Sequence, residues 1–173
     1  MQLKRFTVFT AKVTAAQVAT YFIAGAIFYQ LLTKDYYIGP NPIFAAFMRT
    51  EAEPELWAHV MRWFLPAQIL RGILMAAVLY PLFDTLKAWP FGRRFLWIAG
   101  LYLVFASWAS AGPVPGSIEG MVYLRPPLTG LVHLKVQPEI IFQGLGLAAL
   151  VARAMREAPG KAQSSIRELP NAA

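Results

Sequence analysis

The chain alternates between long apolar runs and short polar stretches. Four runs dominate it: 13–32, 56–86, 95–112 and 140–152. The first contains 20 residues without a charge, which matches the ~20 residues that a helix needs to cross ~30 Å of hydrocarbon. The third is also uncharged, and the second is interrupted only by Arg62, Arg71 and Asp84. This pattern predicts membrane-spanning helices.

The fourth run is too short to span a membrane by itself. Its 13 uncharged residues make only ~20 Å of helix. The segment VHLKVQPEIIFQG, which begins before the run and overlaps its start, must therefore complete the crossing. Pro138 suits the first position of a helix, and Glu139 would then lie in the first turn, where the helix dipole favours a carboxylate. The helices expected are 13–32, 56–86, 95–112 and 137–155.

Composition strengthens the membrane interpretation. The chain has 173 residues, of which 57% are apolar and 14% charged, and its mean hydropathy is +0.47, which is more apolar than a typical soluble domain. The fold class expected is therefore all-α: an integral membrane four-helix bundle, forming one domain over 1–157 with a polar cytoplasmic tail at 158–173. The absence of cysteine excludes disulfides and thiolate chemistry.

Basic residues indicate how the bundle lies in the membrane, because Lys and Arg are retained on the cytoplasmic side. Ten lie in the N-terminal segment, the connection between helices 2 and 3 and the tail, against four in the other two connections. Both termini are therefore expected in the cytoplasm, with the chain in a bacterial inner membrane. The net charge of +7 is scattered in short clusters, so we expect membrane lipids rather than nucleic acid as partners.

Arg71 is the most informative polar residue, because it lies near the middle of the second run. A charge at that depth costs at least ~2.5 kcal/mol unless it is paired or hydrated, so Arg71 should face the bundle interior. Helix lengths place Glu139 and Gln143 at a compatible depth. We therefore predict that Arg71 pairs with Glu139 and that Gln68 pairs with Gln143. A purely structural ion pair that locks the bundle is the alternative.

The connection between the third and fourth helices is rich in turn residues and polar groups. Its PVPG sequence ends the third helix, and its glycines permit sharp turns, while IEGMVYL and LTGLVHL are apolar enough to re-enter the bilayer. The alternative is an ordinary surface loop with a short amphipathic helix. If the segment dips into the membrane, further residues join Arg71, Gln68, Glu139 and Gln143 in one outward-facing ligand site: Glu119, Tyr123, Arg125 and His133.

No strong enzyme or cofactor signature is present. The chain has only two histidines, His59 and His133, which could together ligate a haem or, with Glu119 or Glu139, a metal. Neither histidine has the spacing of a haem or zinc motif, so no cofactor is expected. Phosphate-loop, dinucleotide, HExxH and G-x-S-x-G motifs are also absent, and an enzymatic role is less expected than a binding role.

Three functions fit these observations. The first is a small multi-pass membrane protein whose outward-facing polar pocket binds or transports a small anionic or amphipathic ligand, with Arg71 neutralising the charge of an anion. The second is an accessory subunit that stabilises a larger membrane complex, which lipid-facing stripes of small residues would favour. The third is a membrane enzyme acting on a lipid or isoprenoid. Small residues at four-residue spacing, in 16–24 and in 144–152, are expected to hold the bundle together.

Overall fold

The computed structural model describes residues 2–40, 42–110, 112–128 and 130–155, and the regular structure of this part of the chain is entirely helical. Its α-helices are α1 (Gln2–Phe28), α2 (Lys34–Tyr37), α3 (Pro54–Leu79), α4 (Phe83–Ala88), α5 (Phe91–Gly100), α6 (Ile118–Tyr123) and α7 (Leu131–Ala154). Two π-helical segments, Tyr29–Thr33 and Leu101–Trp108, continue α1 and α5, and short 3₁₀ turns lie at Ile43–Ala46 and Tyr80–Leu82. The all-α fold class is therefore confirmed, and the predicted tail at 158–173 lies outside the described residues.

Three continuous helical runs are long and apolar enough to cross a membrane: Gln2–Tyr37, Pro54–Ala88 and Leu131–Ala154. Their length and composition indicate membrane association. A fourth run, formed by α5 and its π-helical continuation, is shorter and carries Arg93 and Arg94 in its first turn. Within the described residues, three helices therefore meet the length and composition of a span, where four were predicted.

The first three predicted helices differ from the structure mainly at their ends. The first begins at Gln2 rather than at 13, because Phe9 and Val13 are both buried in the core and hold the polar N-terminal segment in the helix. The second begins at Pro54, close to its prediction, and this residue type suits the first helical position. The third begins and ends earlier than 95–112, since its π-helical part stops at Trp108.

The prediction that the last helix begins near Pro138 is wrong. Helix α7 begins at Leu131 and runs through Pro138 without interruption. The chain turns at Gly130, whose φ of 56° is readily adopted by glycine, and the first turns of α7 then pack into an apolar cluster through Val132 and Val136. The 24 residues of α7 make about 36 Å of helix, so no re-entrant segment is needed to complete this span.

Helix α1 packs against both α3 and α7, and α7 also packs against α5. A continuous cluster of buried apolar side chains joins these four helices. The backbones of α1 and α3 approach closely at Gly72, where an added Cβ atom would lie 2.6 Å from the Cα atom of Thr14. Close backbone approach of this kind is the main route by which helices associate in lipid.

The two predicted stripes of small residues are buried, and α1 does pack against α7. The first residue of the stripe on α7 nevertheless packs against a neighbour other than α1. An added Cβ atom at Gly144 would meet Leu103 at 2.6 Å, on the π-helical continuation of α5, whereas one at Gly146 would meet Thr20 of α1 at 3.4 Å. Small residues on α7 therefore allow close packing on two sides.

The bundle has two distinct ends. The terminal end carries Gln2 and the turn after α3, since the Tyr80 hydroxyl donates a 3.1 Å hydrogen bond to the Gln2 carbonyl oxygen. The connection end carries the two long connections, 38–53 and 109–130. These connections meet in a second cluster of buried apolar side chains: Tyr36, Phe44, Leu128 and Val132.

Arg94 fastens the terminal end of the bundle. Its buried guanidinium donates hydrogen bonds to three backbone carbonyl oxygens, at 2.8 Å to Ala152, 3.1 Å to Lys87 and 2.8 Å to Trp89. The Ala152 carbonyl lies in the last turn of α7, where carbonyl groups lack intrahelical donors. One side chain thus joins the end of α7 to the turn between α4 and α5.

Candidate functional site

A cleft of about 1110 Å³ lies at the connection end of the bundle, between the last turns of α1 and the first turns of α3. The segment 45–53 contributes to its border, and one residue of α7, Glu139, also lines it. The π-helical turn Tyr29–Thr33 supplies part of the wall through its first and last residues. Such π-helical turns occur frequently at functional sites.

Glu139 is the one predicted site residue that lines this cleft. It is half-buried and faces α1 at Gly25, where an added Cβ atom would lie 4.0 Å from the Glu139 Oε1 atom. Within the described part of the chain, no hydrogen bond or ion pair reaches its carboxylate. A carboxylate in a membrane helix is costly without a partner and marks a functional site by default.

Three tyrosines from the first helical run face the same cleft: Tyr21, Tyr29 and Tyr37. The rings of Tyr29 and Tyr37 meet edge to face, with centroids 5.4 Å apart. The Tyr29 hydroxyl donates a 3.1 Å hydrogen bond to Oε2 of Glu51, which fixes a second carboxylate at the cleft. Tyr21 and Tyr37 both lie within electrostatic range of Glu139. The cleft therefore combines aromatic walls with carboxylates.

Arg71 does not form the predicted ion pair with Glu139. Its half-buried side chain contacts Tyr102 instead: Nη2 donates a 3.4 Å hydrogen bond to the hydroxyl, and Cζ lies 5.5 Å from the ring centroid. Among the described residues, the one ion pair joins Arg5 and Asp84 at the terminal end. Tyr102 lies within electrostatic range of both Arg71 and Glu139, although these two residues do not form an ion pair with each other.

Gln68 is buried, and its partner is Gln17 rather than Gln143. The Gln17 Nε2 atom donates a 2.9 Å hydrogen bond to Oε1 of Gln68. Gln143 is also buried, but its Nε2 atom has no hydrogen-bond partner in the residues that the structure describes. The predicted pair of Gln68 with Gln143 is wrong because α3 packs against α1, and α1 supplies the nearer amide.

His133 holds the third connection, residues 109–130, against α7. Its ring is buried, and Nδ1 accepts a 2.9 Å hydrogen bond from the backbone N–H of Gly116. Gln137, one turn later on α7, donates a 2.8 Å hydrogen bond to the Gly116 carbonyl oxygen. Gly116 itself has a φ of 93°, which favours glycine. Both polar groups of this glycine are thus bound by α7, which gives His133 a structural role.

The other residues predicted in the third connection lie apart from the cleft. Glu119 is half-buried in the first turn of α6, and Tyr123 and Arg125 are exposed. None of the three lines the cleft. Helix α6 has only six residues, in agreement with the alternative of a loop with a short helix. The two histidines occupy different settings as well, since His59 is exposed on α3.

The cleft tyrosines and Glu51 are functional candidates that the sequence patterns above do not predict. Tyr21, Gly25 and Tyr29 recur at four-residue spacing in an uncharged run, and residues so spaced share one face of a helix. A tyrosine carries a polar hydroxyl that usually finds a partner when buried. This spacing is the signal in the sequence that could have indicated a polar face at the connection end of α1.

No protein-family model, curated protein or solved structure matches this chain. A helical membrane fold does not by itself specify a function. The cleft and its unpartnered carboxylate are the features of the molecule from which a function can be inferred.

Proposed function

We propose that the chain is a multi-pass membrane protein that binds a small amphipathic molecule in the cleft at its connection end. The observation that carries this proposal is the half-buried Glu139, which has no partner in the described residues and lines a cleft of about 1110 Å³. Clefts of roughly 300–1,000 Å³ with a few placed polar groups are typical ligand sites, so this one has room for a single small molecule.

The walls of the cleft suit an amphipathic ligand. Phe22 and Ala26 on α1 face Val60 on α3 and provide an apolar seam. Glu51 and Glu139 provide charge elsewhere in the same cleft. An apolar chain would lie in the seam, and a polar head would lie against the carboxylates.

We propose four spans, the fourth being 91–108, with both termini in the cytoplasm of a bacterial cell. The distribution of charge supports this orientation, because the basic residues of the described chain are concentrated at the terminal end: Lys4, Arg5, Lys12, Lys87, Arg93, Arg94 and Arg153. Cytoplasmic segments retain such residues. In this orientation the cleft faces the outer side of the membrane, as a binding or transport protein for external molecules requires.

Arg71 supports the amphipathic ligand over the anionic one that the sequence also suggested. The sequence assigns the neutralisation of an anion to Arg71, but Arg71 contacts Tyr102 and does not line the cleft. Among the described lining residues, the one cationic side chain is Arg49.

Native mass spectrometry of the detergent-purified protein tests the proposal. Wild-type protein should retain a small amphipathic molecule. Ala26→Phe should retain much less of it, because the added ring occupies the apolar seam where the ligand's chain would lie. Ala77→Phe is the matched control, since Ala77 is exposed on α3 and does not line the cleft. Equal retention by the two variants would contradict binding in the cleft.

The second candidate, a subunit of a larger membrane complex, is supported by a different surface. Ala11, Ala15 and Ala19 are exposed at four-residue spacing on α1 and line an apolar groove of about 710 Å³ with Leu65 and Ile69 of α3. Small residues let a neighbouring membrane helix approach closely. Ala15→Trp should then release a partner from native membrane extracts, measured as faster migration in blue-native electrophoresis, and unchanged migration would count against this function.

A further inference from the structure

We infer that the ligand of the cleft has a cationic head, an ammonium group attached to an apolar chain. This inference rests on the proposed function, since it names the chemical class of the molecule bound in the same cleft. It follows from three features of the site: the sign of its charge, the aromatic side chains beside that charge, and the apolar seam that leads away from it.

The charge of the described lining is negative. Three carboxylates, Glu51, Glu53 and Glu139, line the cleft against one cation, Arg49. Glu139 has no ion-pair partner among the described residues, and burial makes an uncompensated charge costly. A bound ammonium group supplies the missing counter-charge, whereas a bound anion would meet like charges.

Aromatic side chains line the same cleft as the carboxylates. Tyr21, Tyr29 and Tyr37 from the first helical run and Trp57 from α3 all line the cleft. The face of a Tyr or Trp ring attracts a cation, and several such rings together are the usual means of binding quaternary ammonium groups. The Tyr29 hydroxyl also binds Glu51 at 3.1 Å, so a ring and a carboxylate are held side by side.

The apolar seam explains why the ligand is an amphiphile rather than a simple cation. Leu56 extends the seam of Phe22, Ala26 and Val60 between α1 and α3, and this apolar lining can accommodate an apolar chain beside the charged part of the cleft. The same chemistry could come from a membrane lipid with an ammonium headgroup or from a free alkylammonium compound. Native mass spectrometry with defined lipids distinguishes these two sources.

Three probes with the same decyl chain test the sign of the head: decyltrimethylammonium, decyl sulfate and decyl maltoside. Binding to the full chain in dodecyl maltoside is measured by microscale thermophoresis. The ammonium probe should bind saturably and at least about tenfold more tightly than the sulfate, because one probe pairs with the carboxylates of the cleft and the other is repelled. Glu139→Gln should weaken binding of the ammonium probe by a similar factor.

Glu55→Gln is the matched control. Glu55 lies in the first turn of α3, is exposed and does not line the cleft. The Glu55→Gln substitution therefore removes the same charge near the cleft without changing its lining, and it should leave binding unchanged. Should Glu139→Gln fail to fold, Glu51→Gln removes a carboxylate from the connection instead, and it too should weaken the ammonium probe.

The outcomes separate the two proposals. Saturable binding of the sulfate probe as tight as that of the ammonium probe overturns the cationic head and leaves the amphipathic site standing. Equal binding of the ammonium probe to wild type, Glu139→Gln and Glu51→Gln also overturns it. Saturable binding of none of the three probes overturns both proposals.

Native mass spectrometry after reconstitution into vesicles of mixed phosphatidylethanolamine and phosphatidylglycerol identifies the source. Phosphatidylethanolamine retained by wild type and lost from Glu139→Gln supports the inference with a lipid as the ligand. Retention of neither lipid, together with binding of the ammonium probe, supports it with a free molecule as the ligand. Phosphatidylglycerol retained by wild type and lost from Glu139→Gln overturns it.

Discussion

Gln17 and Gln68 join α1 to α3 through a hydrogen bond of 2.9 Å between their side-chain amides. Both side chains are buried, and the Oε1 atom of Gln17 has no partner in the described residues. Lipid provides no hydrophobic force between helices, so polar contacts and close packing must hold them together. This amide pair is such a polar contact in the pairing of α1 with α3.

A double-mutant cycle on this pair should give a small favourable coupling. Gln17→Leu and Gln68→Leu should each destabilise the protein, because each leaves a buried amide without its partner. The double variant should be less destabilised than the sum, with a coupling of about 0.6 kcal/mol and at most about 1.7 kcal/mol. The free energy of unfolding in mixed micelles measures this. Gln30→Leu, at an exposed position of the first helical run, is the control, and a coupling of zero would mean that the pair is incidental.

The pair of Gln17 and Gln68 also shows which features of the site can be predicted from the sequence and which cannot. Spacing correctly places Gln68 in the interior, and it predicts similar depths for Arg71 and Glu139, since depth follows from counting residues along a helix. Spacing does not say which helices are neighbours, so it does not indicate Gln17 in the first run as the partner. Neighbours depend on close contacts such as Gly72 with Thr14, and these are not encoded in spacing along one segment.

Helix α7 shows a second limit. Proline is common at helix starts, and the sequence therefore predicts a start at Pro138, yet the helix continues through it from Leu131. The packing of Val132 and Val136 against the 36–44 segment stabilises the preceding turns. This contact joins residues far apart in the chain, and no local pattern around Pro138 indicates it. The short helix in the third connection, by contrast, is available from the sequence as an alternative.

Replacing Arg71 should have little effect on either stability or binding in the cleft. Arg71→Met removes one long hydrogen bond, of 3.4 Å to Tyr102, but also removes the cost of holding a charge at membrane depth. The free energy of unfolding should therefore change by less than about 1 kcal/mol. Binding of decyltrimethylammonium should be unchanged. A tenfold loss of that binding would show that Arg71 belongs to the ligand site.

Replacing Arg94 should be far more damaging. Its guanidinium holds three carbonyl oxygens at 2.8–3.1 Å, and Arg94→Met leaves these buried groups without that donor, which should cost about 3 kcal/mol or more. Arg94→Lys should recover only part of this stability, because an ammonium group lacks the planar fork of a guanidinium group.

Arg93→Met is the matched control for Arg94→Met. Arg93 is exposed, and its Cζ lies 4.3 Å from the ring centroid of Trp89, a contact worth about 0.5–1 kcal/mol. Similar losses for Arg94→Met and Arg93→Met would contradict the role of Arg94 in fastening the terminal end.

The close contact of α1 with α3 at Gly72 should not tolerate a side chain. In Gly72→Ala the new Cβ atom would lie 2.6 Å from the Cα atom of Thr14, and because the obstacle is backbone, the two helices must separate. We expect a loss of about 1–3 kcal/mol in the free energy of unfolding. Gly92→Ala is the control, since nothing lies within 4 Å of the position that its Cβ atom would take, and equal losses for the two variants would argue against close packing.

His133 should control how firmly the third connection is held against α7. His133→Ala removes the acceptor of the Gly116 backbone N–H and leaves only the bond from Gln137 to the Gly116 carbonyl oxygen. Local opening of the connection should therefore become easier. Hydrogen exchange followed by mass spectrometry should show faster exchange at 114–120 in the variant, with the cleft-lining segment of α1 unaffected. His59→Ala, at an exposed position on α3, should exchange like wild type, and no acceleration in His133→Ala would mean that the Gly116 contact does not hold the connection.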